Sequence, residues 1–274
     1  MNKIQKLIAG IKTLIAKPYY INKIIDDDDS WKERFIKKYP EYTSGLPVVD
    51  FHEITGSSEV ELNYCSLLDG GSSALDYGLL KAMAAQKADC DYFEIGTWRG
   101  ESAVNVAEVA KHCTTMNLDD KSLQNLGFSY DMIGQIGVYV LGNPKVTQLR
   151  VNSLEFDFAS YGHKFDLIFI DGDHHYSSIC SDTRNVFSYL MKSDSIVIWH
   201  DYTFYPDTVR WEVYQAILDS LPKEEHKHLY HVRNTNCAVY IHKNFITEKL
   251  RTPDFPKVNF KVRVETNPVV LEQK

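Results

Sequence analysis

Carboxylates and histidines of this 274-residue chain follow predicted strands at four points: Glu94, Asp119, Asp171–His174 and His200–Asp201. Carboxylates accept hydrogen bonds from ammonium groups and ribose hydroxyls and bind hard cations, and a histidine can take a proton near neutral pH. The carboxyl ends of strands in an open α/β sheet meet at one edge, where ligands bind. We therefore expect these groups to converge on one ligand and to combine charge recognition with proton transfer.

The first of these points is a sharp turn, Glu94–Gly100, between an apolar run and a helical pattern. Glycines at 96 and 100 let a ligand approach the main chain, and the helix that follows offers free N–H groups. The dinucleotide fingerprint G-x-G-x-x-G does not match this spacing. Because the carboxylate of Glu94 repels phosphate and attracts an ammonium or ribose hydroxyls, the turn favours a nucleoside ligand without a pyrophosphate.

From residue 90 onward, short apolar runs alternate with helical patterns. Near-continuous apolar strands separated by helices are typical of a parallel sheet covered on both faces. The predicted strands are 90–94, 113–118, 145–151, 165–170, 195–199, 228–233 and 237–242, of which the last two form a hairpin. The predicted fold is α/β, doubly wound and Rossmann-like, with a mostly parallel seven-stranded sheet, an antiparallel C-terminal hairpin and a helical N-terminal extension.

The predicted domain organisation has three parts: an N-terminal helical and irregular extension (1–69), the α/β domain (70–244) and a polar tail (245–274). Apolar residues at helical spacing predict an amphipathic helix over 1–17, which also carries several lysines. Such a helix packs on its own domain or on a partner subunit, or it lies on an anionic membrane surface. Both interpretations stay open from the sequence.

The amino-acid composition argues against some classes of function and favours one cellular location. The net charge of −7 argues against a general nucleic-acid binder. The five cysteines are scattered without a C-x-x-C pair, which predicts a reducing compartment rather than a disulfide framework or thiolate zinc site. No run of 18 apolar residues and no secretory signal are seen. We expect a cytoplasmic protein, with membrane association through residues 1–17 as an extension of that prediction.

Three segments together carry a resemblance to a known family: Glu94-Ile-Gly-Thr-Trp-Arg-Gly100, Phe165-Asp-Leu-Ile-Phe-Ile-Asp-Gly-Asp-His174 and Ile198-Trp-His-Asp-Tyr202. The chain resembles class I S-adenosylmethionine-dependent methyltransferases, close to catechol-type O-methyltransferases and to a bacterial group with D-G-D-H and H-D-Y strand ends. The resemblance covers roughly residues 70–242. It implies S-adenosylmethionine as cofactor and methyl transfer, with a hydroxyl oxygen of a small molecule or glycan as the expected acceptor.

The resemblance also implies cofactor contacts. Glu94 and Gly96 would face the methionine end, Asp119 would bind both ribose hydroxyls, and Asn152–Ser153 would edge the adenine. Asp171 lies where family members bind the methionine amine or a cation. Alternatively, the glycines are turn residues and Asp119 is a helix cap. The predicted cofactor-binding residues are Glu94, Gly96, Thr97, Trp98, Gly100, Ser102, Asp119, Asn152, Ser153 and Asp171.

A metal site is the second implication. Catechol-type enzymes hold the acceptor hydroxyls on magnesium with carboxylates from the fourth and fifth strand ends, which here are Asp171 and Asp201. Tyr202 stands where a further ligand is usual, and a neutral phenol is a poor magnesium ligand. Asp173 or His200 would supply the missing ligand, and a site that includes His200 would hold a softer metal than magnesium. We predict Mg²⁺ or another divalent cation at Asp171, Asp201 and Asp173.

His174 falls where catechol-type enzymes place their general-base lysine, so it is the predicted base. Asp201 and His200 complete the predicted catalytic set, with His200 orienting the acceptor or bonding to Asp171. A loop histidine that only packs is the alternative for His174. The sequence does not determine the oligomeric state, and a homo-oligomer is one expectation.

Other classes of function stay in competition. The tripeptide Asp173-His-His175 also occurs in a phosphoesterase family, but its other acidic motifs are not matched here. A methyltransferase-like binding module without catalysis and a nicotinamide oxidoreductase are the further alternatives. Calorimetry with the cofactor and fluorescence with NADH would separate them.

Overall fold

The computed structural model of the chain describes residues 2–18 and 28–268. Two compact units are formed, Met1–Thr43 and Ser44–Lys274. Within the described ranges, no helix has both the length and the apolar character needed to cross a membrane.

The first unit confirms the predicted N-terminal amphipathic helix, which is α1 (Lys3–Ala16). The side chain of Asn2 accepts a hydrogen bond from the backbone of Gln5, and the Gln5 side chain accepts one from the backbone of Asn2. This reciprocal capping satisfies two of the free N–H groups at a helix start. The apolar stripe is exposed, with Ile4, Leu7, Ile8, Ile11 and Ile15 each at least 49% accessible. Helix α2 (Asp28–Lys38) follows.

The second unit is built on an eight-stranded sheet. Its strands are β1 (Val48–Val49), β2 (Asp91–Ile95), β3 (His112–Asn117), β4 (Val146–Arg150), β5 (Phe165–Ile170), β6 (Met191–Trp199), β9 (Leu229–Val232) and β10 (Ala238–Tyr240), while β7 (Thr203–Tyr205) and β8 (Thr208–Val209) form a separate pair. The strand order in the sheet is β1-β9-β10-β6-β5-β2-β3-β4, and among these strands only β10 runs antiparallel to its neighbours. The predicted fold class is confirmed.

The eighth strand is the one departure from the predicted sheet. β1 pairs in parallel with β9 through Val48 and Val49. Two residues are too few to show a periodic pattern, so the sequence could not reveal this strand. The predicted boundaries at residues 69/70 and 244/245 stay predictions, and residues 269–274 of the predicted tail lie outside the described ranges.

Helices cover the sheet as its parallel topology requires. They are α3 (Phe51–Thr55), α4 (Ala74–Ala85), α5 (Glu101–Ala107), α6 (Asp120–Asn125), α7 (Tyr130–Ile133), α8 (Phe158–Tyr161), α9 (Tyr176–Asn185) and α10 (Trp211–Ser220). The predicted helix 176–191 changes character within its length, because α9 passes into a π-helical turn, Val186–Leu190. All six residues of β5 are buried, which explains its unbroken apolar run.

The strand order reverses at β2. From β2 the chain proceeds outward through β3 to β4, and then returns to place β5 on the other side of β2. Ile95 at the end of β2 pairs with Ile170 at the end of β5, which pairs with Trp199 at the end of β6. The residues that follow these strands therefore emerge side by side at a topological switch point, where α/β sheets bind ligands.

Candidate functional site

The turn after β2 touches the turn after β5 through backbone alone. Gly96 has φ +102°, and a Cβ built on it would lie 1.9 Å from the backbone oxygen of Asp171. Real Cβ contacts are never that short, so any side chain at 96 would push the two turns apart. The sequence motif explains this glycine by the close approach of a ligand to the main chain. The structure adds a second reason, because the turn after β2 packs directly on the turn after β5.

A cavity of about 760 Å³ lies over these strand ends. That volume lies within the usual range for small-molecule and cofactor pockets. Nine of the residues predicted to bind the cofactor or act in catalysis line it: Gly96, Thr97, Trp98, Gly100, Ser102, Asn152, Ser153, Asp171 and His174. The structure thus brings most of the predicted set around one space, while the contacts of each residue with a ligand stay predictions.

Glu94 lies beneath the cavity, within the protein. Its carboxylate is fully buried and accepts hydrogen bonds from the hydroxyls of Tyr92 (2.6 Å), Thr115 (2.6 Å) and Ser102 (2.8 Å). Burial raises the pKa of Glu94 to about 7, against the opposing effect of those three donors. Its observed role is to fix Ser102 and the β2–β3 pair, and the predicted contact with a methionine end stays a prediction.

Glu94 should make the stability of this protein depend on pH. Its folded pKa of about 7 exceeds the ordinary 4.5, so the stability it gives is present below pH 4.5 and is lost as pH rises through 7. The difference corresponds to roughly 3 kcal/mol. Urea unfolding of wild type from pH 5 to pH 8 should show this decline, and Glu94→Gln should flatten it. Parallel pH profiles for the two proteins would exclude this assignment.

At the end of β3, Asn117 and Asp119 have different environments. Asn117 is the last residue of the strand and lines the cavity, with Oδ1 accepting a hydrogen bond from the backbone of Thr97 (3.3 Å). Asp119 caps α6 and accepts from the backbone (3.0 Å) and hydroxyl (2.6 Å) of Ser122. These bonds lower the pKa of Asp119. Asp119 thus has the capping role given as its alternative, while its predicted ribose contact stays a prediction. Asn117 is a cavity-lining residue that the emphasis on carboxylates missed.

Asp182, on the wall formed by α9, is a second residue that the sequence patterns did not single out. It lines the cavity and is only 2% exposed, yet its Oδ1 has no hydrogen-bond partner within residues 2–18 and 28–268. Burial raises the pKa of Asp182 to about 6, although a hydrogen bond from Ser153 opposes the rise. A signal was available, because Asp182 falls between Ile179 and Val186 on the apolar face of the predicted helix.

A buried network of charges lies behind Asp171. The ring of His200 lies 3.1 Å from Asp171, 3.4 Å from Asp201 and 3.3 Å from Asp76. Burial opposes the charged imidazolium, but these carboxylates outweigh it and raise the pKa of His200 well above its ordinary value. Asp76 is the N3 residue of a capping box with Ser73 at the start of α4. The prediction that His200 bonds to Asp171 agrees with this geometry.

Asp201 is held between three basic side chains. Its Oδ2 lies 3.0 Å from Nδ1 of His174 and 3.6 Å from Arg210, and its Oδ1 faces His200. Burial disfavours the carboxylate, but the two histidines overcome this and hold the pKa of Asp201 well below its usual range. The backbone of Asp201 has φ +54°, a strained conformation for a residue other than glycine. His174 and Asp201 therefore form a dyad.

The carboxylates predicted to bind magnesium are divided by the fold. Asp173 turns to its own loop, where it accepts hydrogen bonds from His175 (2.5 Å) and Ser178 (2.8 Å). The Tyr202 hydroxyl is buried against the backbone N–H of Leu46 (2.8 Å). Ligand atoms of Asp171, His200 and Asp201 do lie within 4.8 Å of one another, so the groups assembled are two carboxylates and an imidazole. Magnesium requires near-octahedral oxygen ligands, which this set does not supply.

Comparison with known proteins gives one family-model match, which covers part of the chain. Residues 93–202 match the family model for a methyltransferase domain. Solved structures with a similar chain path include the SAH-bound methyltransferase PaMTH1 of Podospora anserina and cofactor-bound Rv0187 from MTB. The first is 17% identical over 71% of this chain and 86% of its own, with a TM-score of 0.46. The second is 18% identical over 65% of this chain and 84% of its own, with a TM-score of 0.43.

A search of curated proteins found no match. The family match spans β2 to the end of β6 and includes every strand end that surrounds the cavity. The sheet order, the glycine turn after β2 and this match agree with one another. Residues 93–202 are therefore similar to a methyltransferase domain, and they lie on a sheet with the doubly wound order.

Proposed function

We propose that this domain methylates a hydroxyl oxygen of a small molecule or sugar. The observation that carries the proposal is the dyad of His174 and Asp201 at the edge of the cavity. A hydroxyl must lose its proton to become a good nucleophile, whereas a neutral amine needs no base before it attacks. A histidine whose Nδ1 faces a carboxylate has its other nitrogen, Nε2, available as that base.

The polar groups that line the cavity indicate where each part of the cofactor would bind. Asn117 is placed for the ribose hydroxyls, since its amide can both donate and accept. Asp182, with an unpartnered oxygen next to Ser153 among the described residues, is placed for the exocyclic amine of the adenine. Asp171 offers negative charge to the ammonium of the methionine end. These assignments keep the predicted adenine edge, add Asp182 to it and give Asn117 to the ribose.

When bound, S-adenosylmethionine supplies an electrophilic methyl group. The protein has to align the acceptor with it and to remove one proton. Nε2 of His174 takes that proton from the acceptor hydroxyl, and Asp201 stabilises the imidazolium that results. His200 keeps Asp201 ionised, and Arg210 lies 3.6 Å from Oδ2 of Asp201 as a further positive charge.

Magnesium, the other predicted cofactor, fits this site poorly. A cation between Asp171 and Asp201 would have to displace His200, which already faces both carboxylates. The mechanism therefore contains no step through a metal ion. A divalent metal that accepts imidazole would suit Asp171, His200 and Asp201 better than magnesium would.

The assignment of the ribose to Asn117 can be tested directly by measuring ligand binding. Asn117→Ala should weaken S-adenosylhomocysteine binding about tenfold, because two hydrogen bonds to the ribose contribute roughly 1–2 kcal/mol together. Asp119→Ala, at the helix cap, should change the Kd less than threefold. Isothermal titration calorimetry measures both. If the wild-type protein failed to bind S-adenosylhomocysteine at millimolar concentration, the cofactor site itself would be refuted. If Asp119→Ala weakened binding more than Asn117→Ala did, only the assignment of the ribose to Asn117 would be refuted.

Contact of α1 with an anionic membrane surface stays a prediction, supported by its exposed apolar stripe and its lysines. A vesicle-pelleting assay that compares the full chain with a variant lacking residues 1–17 would decide it. Assembly into a homo-oligomer also stays a prediction.

A further inference from the structure

A second group of metal-ligating side chains lies at the opposite edge of the main sheet. Glu225 and His228 belong to a 3₁₀ turn, Lys223–His228, that leads into β9, and His242 follows β10. Because β9 and β10 are antiparallel, with Leu229 opposite Tyr240, the start of one and the end of the other meet. This edge carries the amino-terminal ends of the parallel strands, so the group is separate from the methyltransferase cavity.

The three side chains converge on one point. One ligand atom from each of Glu225, His228 and His242 lies within 4.8 Å of the other two. The rings of the two histidines have centroids 4.3 Å apart, and Nε2 of His242 lies 3.6 Å from Oε2 of Glu225. Ligands of a tetrahedral ion are about 3–3.5 Å apart when each lies about 2 Å from it. Small rotations of exposed or half-buried side chains would close the group around a cation.

One feature of this group is not satisfied by the protein alone. Nδ1 of His228 is buried and has no hydrogen-bond partner among the residues that the structure describes. The hydroxyl of Tyr240 lies 2.5 Å from both Glu225 and His242, so it holds these two side chains together. A cation that accepted lone pairs from the imidazoles would satisfy the ligands and leave the tyrosine to bond with the carboxylate.

We propose that Glu225, His228 and His242 bind one divalent transition-metal ion of the zinc class. Two imidazoles and a carboxylate, with water completing the coordination, form a donor set that such ions accept. Each imidazole binds the ion through the nitrogen that carries a lone pair, and an imidazole that is protonated there first releases that proton to solvent. Tyr240 orients the ligands from outside the coordination sphere, as outer partners of metal sites do. The ion would tie the 3₁₀ turn to the end of β10 and so stabilise the C-terminal hairpin.

The test uses the full chain after dialysis against a chelator. Titration with Zn²⁺ by calorimetry should show a binding event that the double variant His228→Ala/His242→Ala lacks, with at least a hundredfold loss of affinity. Zn²⁺ should also raise the Tm of the wild type but not of the double variant. The control is His163→Ala, because that histidine is half exposed and its one ion pair among described residues is with Asp91 at 3.7 Å. It should bind as the wild type does.

A milder variant protects the test from misfolding. Tyr240→Phe keeps the aromatic ring that packs on Phe187 and removes only the hydroxyl. It should weaken Zn²⁺ binding roughly tenfold, the usual cost of losing an outer partner. Zn²⁺ binding that is unchanged in both the double variant and Tyr240→Phe would overturn the proposal and would locate any bound zinc elsewhere, for instance at His200.

Discussion

Replacing Gly96 with alanine should destroy the cofactor site. The new Cβ would meet the Asp171 backbone oxygen at 1.9 Å, and neither loop can yield without breaking its strand-end hydrogen bonds, Gly96 to Met116 and Asp171 to Ile95. We expect a loss of at least about 3 kcal/mol in unfolding free energy, at the upper end for overpacking, and S-adenosylhomocysteine binding weakened beyond a hundredfold. Urea unfolding and calorimetry measure the two effects.

The matched control is Gly142→Ala. Gly142 also has positive φ, at +71°, but a Cβ there meets nothing within 4 Å in the described parts of the chain. It carries the backbone strain of the substitution without the clash, which should cost about 1 kcal/mol. Cofactor binding by Gly142→Ala should equal that of the wild type. Similar behaviour of the two variants would mean that strain, and not the contact of the two turns, accounts for Gly96.

His174→Ala should show the second large effect, on the rate of methyl transfer. Removing a general base lowers the rate by about 10² to 10⁴, while the Kd of S-adenosylhomocysteine should stay within threefold. The measurement is the rate with the best hydroxyl acceptor from a panel of catechols, phenols and sugars.

The neighbouring histidine supplies the control for that experiment. The side chain of His175 is 74% exposed and pairs with Asp173, and this bond raises the pKa of His175. His175→Ala should therefore leave the rate within about threefold of the wild type. If His174→Ala retained the full rate, the dyad would be structural and the oxygen-acceptor proposal would lose the observation that carries it.

The parts of this protein that the sequence predicts well are those with a strong local pattern. The apolar run Phe165–Ile170 is typical of a strand buried on both faces, and the glycines at 96 and 100 indicate a sharp turn after a strand. Since neighbouring parallel strands end at one edge, the convergence of Gly96, Asp171 and His200 follows from the order of elements. The amino-acid pattern alone therefore predicts the fold class and the strand ends that surround the candidate site.

The amino-acid pattern does not predict the direction in which a side chain at a strand end points. Asp119 and Asn117 are two residues apart, and only the end of β3 decides which one reaches the cavity. Asp173 and Asp171 are likewise two apart, but hydrogen bonds to His175 and Ser178 turn Asp173 away from the other carboxylates. Asp201, which pairs with His174, has a strained φ of +54°, and no pattern of residue types indicates such a conformation.

The most direct test of the central claim, that the cavity over β2, β3 and β5 binds S-adenosylmethionine, is a crystal structure of the complex with S-adenosylhomocysteine. We predict the ribose hydroxyls within hydrogen-bond distance of Asn117, the adenine amine at Asp182, and the sulfur within reach of a hydroxyl that also contacts Nε2 of His174. Density for the ligand outside this cavity, or an adenine lying away from Asp182 with the ribose away from Asn117, would contradict it.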